Sequence, residues 1–340
     1  MKKKLLLHIG YPKTATTTLQ EEIFVKLHEQ GKINYLGRTT KSTHTRSGKS
    51  LFRGIDWVWH LRQYYIAGEA LKEGSISLSS NKLNVMSDED LTFHDFFHNA
   101  QFDRALNHND FPKKLRKILG DDVEVTILLT LRNQNDLIFS SYLQKVRFVN
   151  RYIGDYSFLD FLKNTYNHNE RDQEAHLALY DFNSILKLWN SEFAAKIKIL
   201  IFEDFGKNKS IFFSELSKLL PASSEELQKF AGSKHHRKKD KSKDFIMTGY
   251  NSLSKFGSLV SYFIPDKRFE RFLERRYYMR FSLYLKYEQK LLFSHVKFKV
   301  PKPTNEERKF IKDYFHKSNL EFAKSYKLDL KTMTKYNYIN

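Results

Sequence analysis

The sequence predicts an α/β protein with three layers, in which helices pack on both faces of a central parallel β-sheet. Short apolar runs typical of buried strands alternate with longer segments whose apolar residues have helical spacing. Strands separated by helices form parallel β-α-β units with right-handed crossovers. The 340 residues are 41% hydrophobic, enough for one large core. Functional residues are therefore expected at the carboxyl ends of the strands.

The elements can be placed along the chain from these patterns. Residues 4–9 form an apolar run that Gly10 ends, which indicates a buried strand with His8 as a core residue. Residues 16–30 follow with helical spacing and threonine hydroxyls at their start. The other predicted strands are 75–79, 123–131 and 196–202, and the other predicted helices are 58–71, 111–119, 136–146, 185–193 and 211–220. Residues 37–50 are polar and predict an exposed loop.

The composition changes near residue 234. Residues 234–244 form a strongly basic run, and residues 245–340 are rich in Phe, Tyr, Lys and Arg without a clear strand pattern. We predict an α/β core over residues 1–235. Residues 236–340 are predicted to form a basic loop and a mostly helical extension that packs on this core.

Charge and composition limit the possible functions. The net charge of +19 favours anionic partners such as phosphorylated nucleotides, acidic glycans, nucleic acids or an anionic membrane surface. Cysteine is absent, which excludes disulfides and thiolate metal sites, and no metal-ligand spacing is present. No apolar run approaches the roughly 18 residues of a membrane span. These features predict a cytoplasmic protein that can contact the inner face of a membrane.

The loop after the first strand carries the strongest functional signal. Residues 10–19 read GYPKTATTTL between a predicted strand and a predicted helix. A helix start offers unpaired N–H groups and partial positive charge, and Lys13 adds a full charge. Small residues let the backbone approach an anion closely. The predicted phosphate- or sulfate-binding residues are Pro12, Lys13, Thr14, Ala15, Thr16, Thr17 and Thr18.

This loop differs from the phosphate loop of ATPases and GTPases, which needs G-x-x-x-x-G-K-[ST]. Counting from Gly10, the second glycine falls on Ala15 and the lysine on Thr16. Residues 8–19 (HIGYPKTATTTL) instead resemble the PKTGTTTL loop of sulfotransferases that use 3′-phosphoadenosine-5′-phosphosulfate (PAPS), in particular bacterial carbohydrate-type members. Ala15 replaces a frequent glycine, which is tolerated unless that position needs a positive φ.

A second motif follows the strand predicted at 123–131. Arg132 stands at the end of this strand, and Ser140 lies eight residues later in the next helix. An arginine can make paired hydrogen bonds to a phosphate, to which a serine adds a neutral donor. The order of strand, arginine and serine-bearing helix resembles the 3′-phosphate motif of sulfotransferases. Asp136 and Tyr142 also match residues commonly seen around this motif. The resemblance implies that Arg132 and Ser140 hold the 3′-phosphate of PAPS.

The resemblance implies a P-loop-like fold and transfer of a sulfuryl group from PAPS to a hydroxyl of a glycan or glycolipid. Lys13 would be catalytic by neutralising charge on the bridging and leaving oxygens, and no metal is required. In the family a basic loop closes over the 3′-phosphate, a role that Arg237 and Lys238 can serve here.

The general base is not evident from the sequence. In many bacterial members the second strand ends in Ser-Ser-Glu, and the predicted second strand here ends in 79–81, which read Ser-Ser-Asn. Asparagine cannot accept the proton, so His44 is the preferred substitute and His60 the second. A later acidic pair, Glu203 and Asp204, is predicted to be structural.

Two other functions remain open on the residues alone. One is an ATP-dependent phosphotransferase with an atypical phosphate loop. The other is a basic nucleic-acid-binding protein that uses the +19 charge, although the sulfotransferase resemblance implies no nucleic-acid partner. Stabilisation by adenosine 3′,5′-bisphosphate would favour the sulfotransferase, and stabilisation by ATP with Mg²⁺ the phosphotransferase. Stabilisation by neither nucleotide would favour the nucleic-acid-binding protein.

Overall fold

The fold is described from a computed structural model. The structure describes residues 2–11, 13–37, 76, 78–88, 91, 111–153, 157–163, 177–232, 245–248, 295–298 and 302–339. Several sequence predictions lie outside these ranges: Pro12, His44, His60, Arg237, Lys238 and the helix at 58–71.

A five-stranded parallel sheet forms the centre of the fold. Its strands are β1 (Lys3–His8), β2 (Ile33–Tyr35), β3 (Leu83–Ser87), β4 (Val123–Leu131) and β5 (Lys196–Ile201). The order across the sheet is β2-β3-β1-β4-β5, and each neighbouring pair is parallel. β1 is the central strand, with His8 opposite Ser87 on one side and Leu128 on the other.

Helices precede and follow the strands as the sequence predicts. The first helix is π-helical over Thr18–Phe24 and continues as α1 (Val25–Glu29). The others are α2 (Phe111–Leu119), α3 (Gln134–Ile153), α4 (Phe158–Lys163), α5 (Phe182–Phe193), α6 (Phe202–Lys207), α7 (Lys209–Ser217), α8 (Ser224–Gly232), α9 (Asn305–Ser325) and α10 (Leu330–Lys335).

Both faces of the sheet are covered. Leu6, Leu128 and Leu200 point to one face, where they pack with apolar residues of the first helix, α7 and α8. Successive side chains of a strand point to opposite faces, so Leu5 and Leu7 point to the other face. These two residues are also buried, at 1% and 0% exposure. The predicted three-layer α/β fold is therefore confirmed.

The predicted strand at 75–79 is wrong. Its described residues Ile76, Leu78 and Ser79 are not in a strand, and β2 and β3 lie elsewhere. Asn84 explains the error, because this polar residue interrupts the apolar pattern of β3 yet is fully buried. Its amide donates to Lys4 O at 3.0 Å and to Ser79 O at 2.9 Å, and it accepts from Ser79 N at 2.7 Å. A buried polar group with all of these partners is accommodated inside a sheet.

The chain divides into two compact units. The first contains residues 1–145, 157–237 and 303–340, and therefore includes the five-stranded sheet and helices α9 and α10. The second contains residues 146–156 and 238–302. Within it, β6 (Phe245–Thr248) and β7 (His295–Phe298) pair antiparallel, whereas the sequence predicted no clear strand after residue 245. The predicted domain boundary at residue 235 remains a prediction.

Candidate functional site

The loop that follows β1 lies where ligands are expected in a parallel sheet. β1 lies between β3 and β4, so the chain leaves it toward one side of the sheet and later crosses to the other. Ligands in such sheets bind outside the carboxyl ends of the strands, where the strand order reverses. Ile9 N donates to Leu128 O at 3.0 Å, so the start of the loop remains tied to β4.

The loop backbone contains two residues with left-handed conformations. Lys13 has φ 70° and Ala15 has φ 63°, and neither is glycine. Such a conformation costs about 1–2 kcal/mol for an L-residue with a β-carbon. Position 15 therefore has the positive φ that disfavours alanine, and glycine would relieve the strain. Backbone strain of this kind clusters at ligand-binding and catalytic loops, where the surrounding structure holds it in place.

The threonines of the loop have different environments. Thr14 is fully buried, and its hydroxyl donates to Tyr11 O at 2.5 Å, which closes the turn. Thr16 is also buried, at 2% exposure. Thr17 and Thr18 are half-buried at the start of the first helix, and neither hydroxyl hydrogen-bonds to another described residue. These two hydroxyls can therefore donate to an anion at the helix start.

Gly10 is required by a close contact rather than by its backbone angle. A β-carbon at this position would lie 2.4 Å from Nε2 of His8. Ordinary carbon–nitrogen contacts are well above this distance, since nonbonded heavy atoms separate by about 3.5 Å. The His8 ring therefore lies directly against the start of the loop.

His8 belongs to a buried polar network at the ends of the three central strands. Its Nδ1 lies 2.7 Å from Ser87 Oγ on β3, and its Nε2 lies 3.3 Å from Thr130 Oγ1 on β4. Gln20 of the first helix donates to the same Ser87 hydroxyl at 3.1 Å. Complete burial lowers the pKa of His8 to about 3, so its ring is neutral near pH 7. The prediction that His8 is a core residue is confirmed, but the sequence did not reveal its polar partners.

Arg132 connects the two sequence motifs. It follows β4, and its Nη1 donates to Lys13 O at 3.1 Å. Its guanidinium carbon lies 5.0 Å from the ring centroid of Phe202, which is a cation–π distance. The planar guanidinium has five N–H donors, so one bond to Lys13 leaves others for a ligand. Lys13 and Arg132, which are 119 residues apart, therefore meet at one site.

The other residues of the second motif lie on α3. Ser140 is half-buried in the second turn of this helix, and its side chain makes no hydrogen bond to the described residues. Asp136 is exposed, whereas Tyr142 is fully buried and packs on Phe158 with ring centroids 5.3 Å apart. Tyr142 therefore supports α3 from the core.

Glu203 and Asp204 hold the C-terminal tail against the sheet. Glu203 accepts from Asn133 N at 2.9 Å and from Tyr338 Oη at 2.8 Å. Asp204 accepts from Tyr336 Oη at 2.7 Å. Burial raises the pKa of Glu203, and these hydrogen bonds act in the opposite direction. The contacts agree with the structural role that the sequence predicted for the acidic pair.

Residues 79–81, which were predicted to end the second strand, do not lie in a strand. These residues precede β3, where Ser79 Oγ accepts from Lys82 N at 3.2 Å in a turn. The strand itself ends at Ser87, and Asp88 and Glu89 follow in the sequence. Asp88 is buried at 5% exposure, and its N–H donates to His8 O at 3.4 Å. Glu89 lies outside the described residues.

Two absences hold for the residues that the structure describes. Within them, no group of three or more His, Cys, Asp or Glu side chains is arranged to hold a metal ion. No described helix combines the length and apolar character needed to cross a membrane.

Comparison with known proteins gives limited similarity. The sequence matches no protein-family model and no curated protein. Among solved structures, the chain is similar to a sulfotransferase from Alicyclobacillus acidocaldarius, with 16% identity and a TM-score of 0.36. The match covers 74% of this chain and 90% of that one. A similarity of this size assigns neither family nor activity.

Proposed function

We propose that this protein is a sulfotransferase that moves a sulfuryl group from PAPS to a hydroxyl of a glycan or glycolipid. The hydrogen bond from Arg132 to Lys13 O is the main support for this proposal. It joins a cationic loop at a helix start to a second cationic element at the end of the adjacent strand. A nucleotide with an anionic group at each of two positions, as in PAPS, matches two anion-binding elements that share one site.

In this proposal the loop after β1 holds the 5′-phosphosulfate. Lys13 supplies a full positive charge, and the hydroxyls of Thr17 and Thr18 supply neutral donors. The backbone N–H groups at residues 14–18 add the partial positive charge of a helix start. PAPS supplies an activated sulfuryl group attached to a phosphate leaving group. Lys13 then stabilises the negative charge that develops on the leaving oxygen.

The 3′-phosphate is assigned to the second element. Arg132 supplies the N–H groups that its bond to Lys13 does not use, and Ser140 supplies a hydroxyl. Arg237 and Lys238 are proposed to close over the same phosphate, and Pro12 is proposed as part of the 5′ loop. No metal is needed, because lysine, arginine and backbone dipoles provide the charge stabilisation.

Two residues are proposed as the base that removes the acceptor proton. His44 is the first, because a histidine titrates near neutral pH. Glu89 is the second, because residues 87–89 read Ser-Asp-Glu after β3, and β3 is the strand next to β1. His44→Ala and Glu89→Gln separate the two. The base variant loses kcat while its affinity for adenosine 3′,5′-bisphosphate stays unchanged, and the other variant keeps wild-type turnover.

The net charge of +19 supports an anionic acceptor or an anionic surface that presents it. A glycan or a glycolipid precursor at the inner face of the membrane meets this condition. This choice of acceptor, and the cytoplasmic location that goes with it, are proposals from charge and composition.

Thermal shift with nucleotides tests the donor. Adenosine 3′,5′-bisphosphate, at about 100 times its Kd, should raise the unfolding free energy by about 2.7 kcal/mol. ATP with Mg²⁺ should have a much smaller effect. Stabilisation by ATP alone would favour a phosphotransferase. A steeply salt-dependent affinity for nucleic acid with no nucleotide response would favour a nucleic-acid-binding protein.

A transfer assay tests the reaction itself. PAPS labelled with radioactive sulfate is incubated with cell-envelope glycans and glycolipids, and labelled products are separated from the donor. Lys13→Ala is the control, since label that appears equally with this variant does not come from the proposed site. Absence of transfer to every hydroxyl acceptor, despite tight bisphosphate binding, would limit the protein to nucleotide binding.

A further inference from the structure

A polar cavity of about 570 Å³ lies within the first unit, between the β4–α3 turn and the C-terminal helices. Its walls come from the turn at Asn133, from α6, and from α9, α10 and residues 336–337. This volume is in the range of small-molecule sites, which is about 300–1,000 Å³. Tyr336 supplies the aromatic surface, and the other lining side chains are polar or charged. Such a lining suits a hydrophilic ligand.

Cations outnumber carboxylates around this cavity. The cationic side chains are Lys207, Arg308, Lys309, Lys312 and Lys335, and the acidic ones are Asp136, Glu203 and Asp313. None of the five cations forms an ion pair with a carboxylate in the part of the chain that the structure describes. Glu203 accepts hydrogen bonds from Asn133 N and Tyr338 Oη and does not pair with any of these cations.

Four of the five cations fall into two pairs. Arg308 and Lys312 are half-buried and one turn apart on α9, so they share a face of this helix. The ammonium groups of Lys207 and Lys335 lie 5.4 Å and 5.3 Å from the ring centroid of Tyr336. Like charges within each pair repel each other, and an anion between them would replace this repulsion by attraction.

The wall of the cavity is held by specific hydrogen bonds. The side chain of Asn133 donates to Tyr336 O at 2.9 Å and to Asn337 O at 2.5 Å. The Tyr336 hydroxyl donates to Asp204, and Asn208 donates to this hydroxyl at 2.9 Å. These bonds join residues more than 120 positions apart and fix the Tyr336 ring near which the two lysine ammonium groups lie.

We propose that this cavity binds a hydrophilic small molecule with at least two anionic groups, at a site separate from the loop after β1. Arg308 is suited to paired hydrogen bonds with a phosphate or a carboxylate, and the lysines add point charges. The site does not depend on the proposed sulfotransferase activity, because no residue proposed to bind the donor lines the cavity; of the second motif only Asp136 does, and it is not assigned to the donor.

Isothermal titration calorimetry with inorganic tripolyphosphate tests the proposal, with citrate as the carboxylate probe. The full chain carries Lys13→Ala throughout, so that the loop after β1 contributes little binding. Arg308→Gln with Lys312→Gln should weaken tripolyphosphate binding at least about tenfold, because each removes a charged hydrogen-bond donor. Citrate binding that depends on the same pair would extend the ligand class to carboxylates, whereas a response to tripolyphosphate alone would restrict it to phosphates.

The matched control is Lys113→Gln with Lys117→Gln. These exposed lysines are also one turn apart, on α2, and remove the same charge. The control should change the affinity less than about threefold, as expected for exposed charges screened by salt. No binding of either probe, or equal weakening by the control pair, would overturn the proposal. If the α9 pair prevents folding, Lys207→Gln with Lys335→Gln replaces it, with the same expected loss.

Discussion

Replacing Gly10 by alanine places a methyl group in space that the His8 ring occupies. The new carbon would lie 2.4 Å from Nε2, so the ring or the backbone must move. The ring has little freedom, because Ser87 and Thr130 lie at its two nitrogens and Phe24 packs on it at 5.9 Å. Overpacking of a rigid site costs about 1–3 kcal/mol. We expect Gly10→Ala to lower the free energy of unfolding by about 2–3 kcal/mol.

A double-mutant cycle identifies the cause of this loss. His8→Ala alone should cost about 3–5 kcal/mol, since it empties a ring-sized space and leaves Thr130 without this partner. In that background Gly10→Ala should cost less than about 0.5 kcal/mol, because the obstructing ring is gone. The two substitutions should therefore couple by about 2 kcal/mol, well above the error of such cycles.

Urea denaturation followed by circular dichroism measures all four proteins. Gly206→Ala is the control, because a β-carbon there meets no atom within 4 Å and the position is helical. It should be neutral or stabilising by up to about 1 kcal/mol. Additive effects of Gly10→Ala and His8→Ala would refute the idea that the ring sets the position of the loop.

Further predictions concern the same site. Ala15→Gly should raise the unfolding free energy by about 1 kcal/mol, since it relieves a left-handed alanine, and no gain in a denaturation curve would contradict that strain. The pKa of His8 is about 3 in the fold and ordinarily 6.5, so its contribution is intact above pH 6.5 and is lost as the pH falls toward 3. The loss should be about 1.4 kcal/mol per pH unit, and His8→Gln should lack it when both proteins are denatured across this range. Lys13→Ala should lower kcat for sulfuryl transfer by at least about 100-fold with an unchanged melting temperature, and retained turnover would remove Lys13 from the mechanism. Arg132→Ala should weaken adenosine 3′,5′-bisphosphate binding at least about tenfold by calorimetry, with little change in acceptor KM, and a normal affinity would remove Arg132 from the site.

The sequence predicted the strands whose apolar pattern is unbroken. β4 was predicted with its observed bounds, and β1 and β5 within one residue at each end. β2 has only three residues, and Asn84 interrupts the apolar pattern of β3, so the sequence predicted neither strand. Asn84 is tolerated because of partners such as Lys4, 80 residues away, which local pattern cannot reveal. Because β3 was missed, residues 79–81 were predicted to end a strand, whereas they precede β3.

The candidate site was predictable where residue type alone carries the chemistry. The loop of residues 12–18 and the strand-end Arg132 both have a recognisable pattern, and the structure brings Lys13 and Arg132 into contact. The supporting contacts were not predictable, because they join distant positions. His8 meets Ser87 and Thr130 across 79 and 122 residues. A histidine inside an apolar strand indicates only burial, and its partners depend on the strand order.

These distant contacts explain how a strained loop keeps its shape. Left-handed residues persist only when their surroundings hold them more strongly than the strain opposes them. Arg132, just after β4, donates to Lys13 O, the Thr14 hydroxyl closes the turn on Tyr11, and the His8 ring lies against Gly10. Each of these contacts is worth about 1 kcal/mol or more, comparable with the strain at Lys13 and Ala15. Two of these three contacts come from strand residues or strand ends and one comes from within the loop, so the shape of the loop depends on the sheet as well as on its own sequence. Under the proposed function, an anion would therefore meet donors that are already oriented, and little binding energy would be spent on ordering the loop.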